Sequence, residues 1–132
     1  MLDKNPDNVK LVFKNFPLRM HKSAAKAAAA ALAAKEQGKF WEFHDKLFEN
    51  SRALNDAKIQ EIAEGLGLDM EKFNSDIESP AIQQLIVRDM TNGQEVGVRG
   101  TPAVYINGKQ MKKRRSLEVF QEMIDAEVKK AK

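Results

Sequence analysis

Residues 100–108, Gly-Thr-Pro-Ala-Val-Tyr-Ile-Asn-Gly, constrain the fold of this chain more than any other stretch. Asn107-Gly108 is a strong two-residue hairpin signal, because both central positions of such a turn require left-handed backbone. Residues 103–107 are therefore expected to form a strand that turns back onto a short return strand, Lys109-Gln110-Met111. Pro102 stands at the entrance of that strand, where its missing N–H costs no ladder bond.

Upstream, one other run has strand character. Residues 9–16, Val-Lys-Leu-Val-Phe-Lys-Asn-Phe, place Val9, Leu11 and Phe13 on one face, expected to be buried, and stop at Pro17. Between the two strand regions the sequence reads as five helices. The first, over roughly 22–37, is built from Ala with interspersed Lys and Glu and is closed by Gly38. The second carries Phe40, Phe43, Leu47 and Phe48 at helical spacing, with Trp41 beside them, and is expected to bury this stripe under the Ala-rich helix. Asn55 caps a third at 56–64, stopped by Gly65 or Gly67, and Asp69 caps a fourth at 70–78. Ser79-Pro80 starts a fifth, with Ile82, Leu85, Ile86 and Met90 facing inward and Gly93 as its end. After the hairpin, Ser116 caps a last helix whose inner face is Leu117, Phe120, Ile124 and Val128, with Lys129, Lys130 and Lys132 complementing its dipole.

At 132 residues and 42% hydrophobic content the chain is sized for one globular domain. Its mean hydropathy is −0.52. The most apolar run, residues 24–34, is too short and too weakly hydrophobic to cross a bilayer. Lys and Arg number 22 against 19 Asp and Glu, so the pI near 9.1 reflects a small surplus and argues against nucleic-acid binding. Lys112-Lys113-Arg114-Arg115 is dense in cations. It reads as a solvated loop that guards an edge strand, with phosphate, an acidic partner or an anionic membrane surface as the functional alternatives. The first eight residues are polar and acidic where a secretory signal would be basic and then apolar, so the chain as written is expected to stay in the cytoplasm.

The sequence contains no cysteine. That excludes disulfides and Cys-based zinc sites, and it excludes self-contained thiol–disulfide exchange, in which a thiolate is the nucleophile. The two histidines, His21 and His44, come with no carboxylate constellation, so no metal and no cofactor is expected and both read as surface or capping residues. Ser23, His21 and Asp45 have no motif that would assemble a hydrolytic triad.

Three signatures together resemble the DsbA-like branch of thioredoxin-fold disulfide oxidoreductases over nearly the whole chain. They are residues 9–18 followed by His21; Gly38-Lys39-Phe40-Trp41-Glu42-Phe43-His44 with Leu47-Phe48; and Gly97-Val98-Arg99-Gly100-Thr101-Pro102 running into Tyr105-Ile106-Asn107-Gly108. The resemblance implies an α/β, incomplete thioredoxin-like fold. It would be a single domain over 1–132, with residues 19–93 as a helical insertion between the first strand and a C-terminal hairpin plus helix. Family members begin with a strand that leads into Cys-x-x-Cys at the start of a helix, and residues 1–8 supply neither. The chain therefore reads as truncated before the second core strand.

The resemblance further implies a cis Thr101-Pro102 bond and a substrate-binding loop at Gly100, Thr101, Pro102 and Ala103, with no catalytic residue present. It makes the chain a domain fragment of a thiol:disulfide oxidoreductase, itself redox-inactive, whose intact parent acts on an extended peptide or protein thiol outside the cytoplasm. The other reading is a non-catalytic peptide- or protein-binding module on the same scaffold. In the family the absent strand lies mid-sheet, so its loss leaves strand edges that a homodimer could cover by pairing or swapping elements.

Overall fold

The computed structural model describes residues 2–18, 23–112 and 116–131. Its elements are a short 3-10 turn at Leu2–Lys4, α1 (Ala24–Glu36), α2 (Phe40–Glu49), α3 (Asp56–Gly65), α4 (Met70–Ile77), α5 (Pro80–Glu95), β1 (Tyr105–Ile106), β2 (Lys109–Gln110) and α6 (Leu117–Ala131). The chain divides into two compact units, Asn15–Arg99 and Met1–Lys14 with Gly100–Lys132. His21, the expected helix start at Lys22, residues 113–115 and Lys132 lie outside the described residues.

The Asn15–Arg99 unit is organised around α1. Ala27, Leu32 and the alanines at 29–31, 33 and 34 are all buried, so the helix is covered on every side and packs against α2, α3, α4 and α5. Side chains no larger than a methyl let those helices approach closely, and a helix that is apolar all round belongs in a core. Phe43 of α2 and Phe73 of α4 are both fully buried and meet edge to face at 5.6 Å between ring centroids. Burying each is worth roughly 1.5–3 kcal/mol from area alone.

Local chemistry sets the helix starts. Asn55 accepts the N–H of Lys58 at 2.8 Å, Asp69 that of Lys72 at 3.1 Å, and Ser79 that of Ile82 at 3.3 Å, each satisfying an orphan donor of a first turn. Pro80 occupies the first turn of α5, as the sequence predicts. The side chain of Gln37 acts as a peptide surrogate: its Nε2 donates to the Asp69 carbonyl at 3.1 Å and its Oε1 accepts the Asp69 N–H at 2.8 Å. The end of α1 is thereby stitched to the start of α4.

Several expectations are corrected. Residues 9–16 join no sheet, and Leu11, Val12 and Phe13 are 49%, 62% and 41% exposed. Branched and aromatic residues favour extended backbone, whereas a strand exists only with a ladder partner, and β1 and β2 are the only strands among the described residues. Phe48 is 65% exposed. Phe40, Phe43 and Leu47 already fill the inward face of α2, and the 100° step per residue swings Phe48 onto the flank with Trp41 and His44. Leu117 is exposed as well, leaving Phe120, Ile124 and Val128 to face inward.

Helix α5 does not stop at Gly93 but runs to Glu95, ending before Gly97, whose φ of +87° suits only a residue without a Cβ. Gly93 has a different role. A Cβ there would lie 3.2 Å from two carbons of the Phe16 ring, so the glycine is where that ring rests on the helix.

In the other unit, β1 and β2 pair antiparallel with Tyr105 opposite Gln110 and Ile106 opposite Lys109. The strand is shorter than residues 103–107, although the Met111 N–H still donates to the Val104 carbonyl at 2.8 Å. Ser116 Oγ accepts the Val119 N–H at 3.2 Å and caps α6. Asn5 and Gln121 exchange amide hydrogen bonds of 2.9 and 3.0 Å, which ties the start of the chain to α6.

Candidate functional site

Gly100, Thr101 and Pro102 form an exposed loop at the entrance of β1, and Ala103 is half-buried where the loop meets the hairpin. The Thr101–Pro102 peptide bond is cis. The loop contains no titratable side chain. Its chemistry is therefore that of a backbone hydrogen-bonding surface with one hydroxyl, and it offers no acid, base or nucleophilic sulfur.

The hairpin that carries the loop is held at three points. Asn107 and Gly108 adopt φ of 47° and 82°, the paired left-handed conformation that a two-residue turn demands. Met111 is buried at 4% exposure and anchors the return strand. Glu127 on α6 accepts from Lys109 Nζ at 3.2 Å, Lys130 Nζ at 3.3 Å and Asn107 Nδ2 at 3.4 Å, so one carboxylate fastens the turn to the helix. The hydrogen bond from Lys109, helped by that from Asn107, holds the Glu127 carboxyl below the usual glutamate range.

The remaining sequence candidates are elsewhere. His44 lies among the rings of Phe40, Trp41 and Phe48 at 5.9, 5.3 and 4.7 Å, with its Nδ1 3.3 Å from Asp45 Oδ1. Ser23 Oγ donates to the Leu54 carbonyl at 3.2 Å. Among the described residues no three His, Cys, Asp or Glu side chains come together as a metal site.

Sequence reading missed Asp89, a buried carboxylate on the inner face of α5. Its Oδ2 accepts both the backbone N–H and the side-chain amide of Asn15 at 3.0 Å. The signal was present: residue 89 follows Ile82 and Ile86 at helical spacing, so an acidic side chain there points into the core and requires a donor.

The profile of the DSBA-like thioredoxin domain matches residues 2–125. The chain belongs to the DsbA-like thioredoxin domain family. This DsbA-like chain superposes on a thioredoxin-like oxidoreductase from Silicibacter pomeroyi with a TM-score of 0.83 at 30% identity, covering 97% of this chain and 73% of that one. It is 31% identical over 130 residues to the probable disulfide bond formation protein D of Bacillus cereus, across 92% of this chain and 59% of that protein. It is also 32% identical over 106 residues to a Na(+)/H(+) antiporter NhaA of Herminiimonas arsenicoxydans, across 80% of this chain. The chain spans only 17% of that antiporter's length. The α/β fold is thus an incomplete thioredoxin-like one, mostly helical with a two-stranded sheet. No helix among the described residues is long and apolar enough to cross a membrane.

Proposed function

We propose that this DsbA-like chain holds an extended polypeptide at Gly100, Thr101, Pro102 and Ala103 and performs no thiol–disulfide exchange by itself. The observation that carries the reading is the exposed loop at the entrance of β1 in a DsbA-like chain without a cysteine. Exchange proceeds through a mixed disulfide formed by an attacking thiolate. In a complete oxidoreductase the Cys-x-x-Cys pair would come from another segment, and this chain would contribute the contact with the substrate backbone. Residues 1–132 act in this reading as one domain interrupted by the helices of residues 19–93.

Backbone geometry supports the assignment. In an antiparallel ladder, alternate residues turn their N–H and C=O toward opposite sides. Val104 uses its carbonyl toward Met111, so Ala103 turns its groups the other way, the direction from which an extended peptide adds to a strand. The exposed Leu11 and Val12 support a homodimer that covers residues 9–16 by pairing or exchange.

The tests are direct. The purified chain should reduce insulin and oxidise dithiols only at the uncatalysed rate; turnover by the pure chain overturns the inactivity. A labelled extended peptide should bind, and Pro102→Ala should weaken it. Sedimentation should give a dimer, and a well-folded monomer at micromolar concentration removes that part of the reading.

A further inference from the structure

The dipeptide Asn-Gly occurs twice in this chain, at Asn92-Gly93 and at Asn107-Gly108, and the fold holds the two differently. The pairing matters chemically. Asparagine is among the thermolabile side chains, and a following glycine, having no side chain of its own, leaves its amide nitrogen open to approach the asparagine side-chain carbon.

Asn92 and Gly93 lie near the end of α5 and are both half-buried. The Asn92 carbonyl accepts the Val96 N–H at 3.4 Å, and the Gly93 carbonyl accepts that of Val98 at 2.9 Å. In a helix the Gly93 N–H is spent on the carbonyl four residues back, so any rotation that brings its nitrogen onto the Asn92 side chain first unwinds that turn. The Phe16 ring, resting on Gly93, is a further restraint.

Asn107 and Gly108 are both exposed at the tip of the hairpin. The hydrogen bond of a two-residue turn joins the flanking residues, here Ile106 and Lys109, and does not use the Gly108 nitrogen. β1 and β2 are two residues each, and so short a hairpin opens at little cost. Opening releases Asn107 from its left-handed φ of 47° and lets the Gly108 nitrogen reach the Asn107 side chain.

We infer that Asn107 is a site of spontaneous deamidation whose products loosen the hairpin from α6. The Gly108 backbone nitrogen forms a bond to Asn107 Cγ, the Cγ–Nδ2 bond breaks, and Nδ2 leaves as ammonia with the proton that the Gly108 nitrogen gives up. Water then opens the cyclic imide at one of its two carbonyls, yielding aspartate or, where the chain now runs through Cγ, isoaspartate. The sequence of steps is a substitution followed by hydrolysis, with water as the only co-reactant and no change of oxidation state. The consequence falls on Glu127, which accepts from Asn107 Nδ2 at 3.4 Å. Deamidation replaces that donor with a carboxylate that repels the Glu127 carboxylate, while Lys109 still bonds it at 3.2 Å. Isoaspartate also adds a methylene to the turn backbone, which the two-residue geometry does not accommodate.

Peptide mapping by mass spectrometry, after the purified chain is held in mildly alkaline buffer, tests this. The peptide carrying Asn107 should gain the mass of an amide-to-acid exchange, with isoaspartate among the products. It should do so at least about tenfold faster than the peptide carrying Asn92, the factor by which a helix-opening cost of about 1.4 kcal/mol slows a step. In guanidinium chloride the two sites should convert at similar rates. Asn107→Asp, which installs one product directly, should lower the protection of the β1 and β2 amides and leave those of α1 unchanged. Retention of Asn107, or conversion of Asn92 at an equal rate in buffer, overturns the inference. A difference just as large in denaturant assigns the selectivity to the flanking sequence and overturns the structural account. Undiminished hairpin protection in Asn107→Asp overturns the proposed effect at Glu127.

Discussion

One oxygen of Asp89 accepts both the backbone N–H and the side-chain amide of Asn15, each at 3.0 Å, and both residues are buried. This carboxylate holds Asn15 against α5. Truncating it leaves two buried donors without that acceptor, so Asp89→Ala should cost about 1–3 kcal/mol, read as a lower urea midpoint. Asp89→Asn keeps a carbonyl acceptor and should cost less than the alanine change. An alanine variant as stable as the parent would show that the pair contributes nothing.

Phe43 and Phe48 lie five residues apart on the same helix and have opposite fates. Phe43→Ala opens a cavity against Phe73 and should cost about 3–5 kcal/mol in chemical unfolding. Phe48→Ala, at a position 65% exposed, should stay within about 0.5 kcal/mol of the parent. Reversal of that order would place the aromatic core wrongly.

Gly108 has φ of 82° in the hairpin turn. Gly108→Ala forces a side chain into left-handed backbone and should cost about 1–2 kcal/mol, with faster amide exchange in β1 and β2 as the local readout. Unchanged exchange would mean that the turn tolerates a Cβ.

Glu127 makes the unit carrying the hairpin sensitive to acid. Its carboxyl lies below the ordinary value of 4.5 in the folded chain, chiefly through Lys109. A depressed folded pKa stabilises fully above the unfolded value, and the contribution disappears as the pH drops through the folded one. The protection factors of the hairpin amides should therefore fall below about pH 4.5, and Glu127→Gln should flatten that response while leaving the neutral-pH fold intact. An identical acid response in Glu127→Gln would assign the effect to other carboxylates.

What was legible in the sequence is what is decided locally. Asn55, Asp69 and Ser79-Pro80 marked three helix starts because a cap acts on backbone within three residues, and Asn107-Gly108 marked the turn for the same reason. Gly100, Thr101, Pro102 and Ala103 were singled out by motif and stand together at the entrance of β1. The strand expected at 9–16 failed because a ladder depends on a partner far along the sequence, which local composition does not report. The Phe48 error came from reading a stripe as wider than one helix face. Asp89 shares the inward spacing of Ile82 and Ile86, but its donor, Asn15, lies 74 residues away, which local pattern does not report.

Gly93, in the last turn of α5, gives up at most about 1 kcal/mol of helix propensity relative to alanine. The contact with Phe16 explains why alanine is not a free improvement, since its methyl group would press into the ring. Positions 16 and 93 are therefore coupled: a smaller side chain at 16 should convert Gly93→Ala from a crowding change into a stabilising one. Anyone stiffening this helix has to redesign the two sites as a pair.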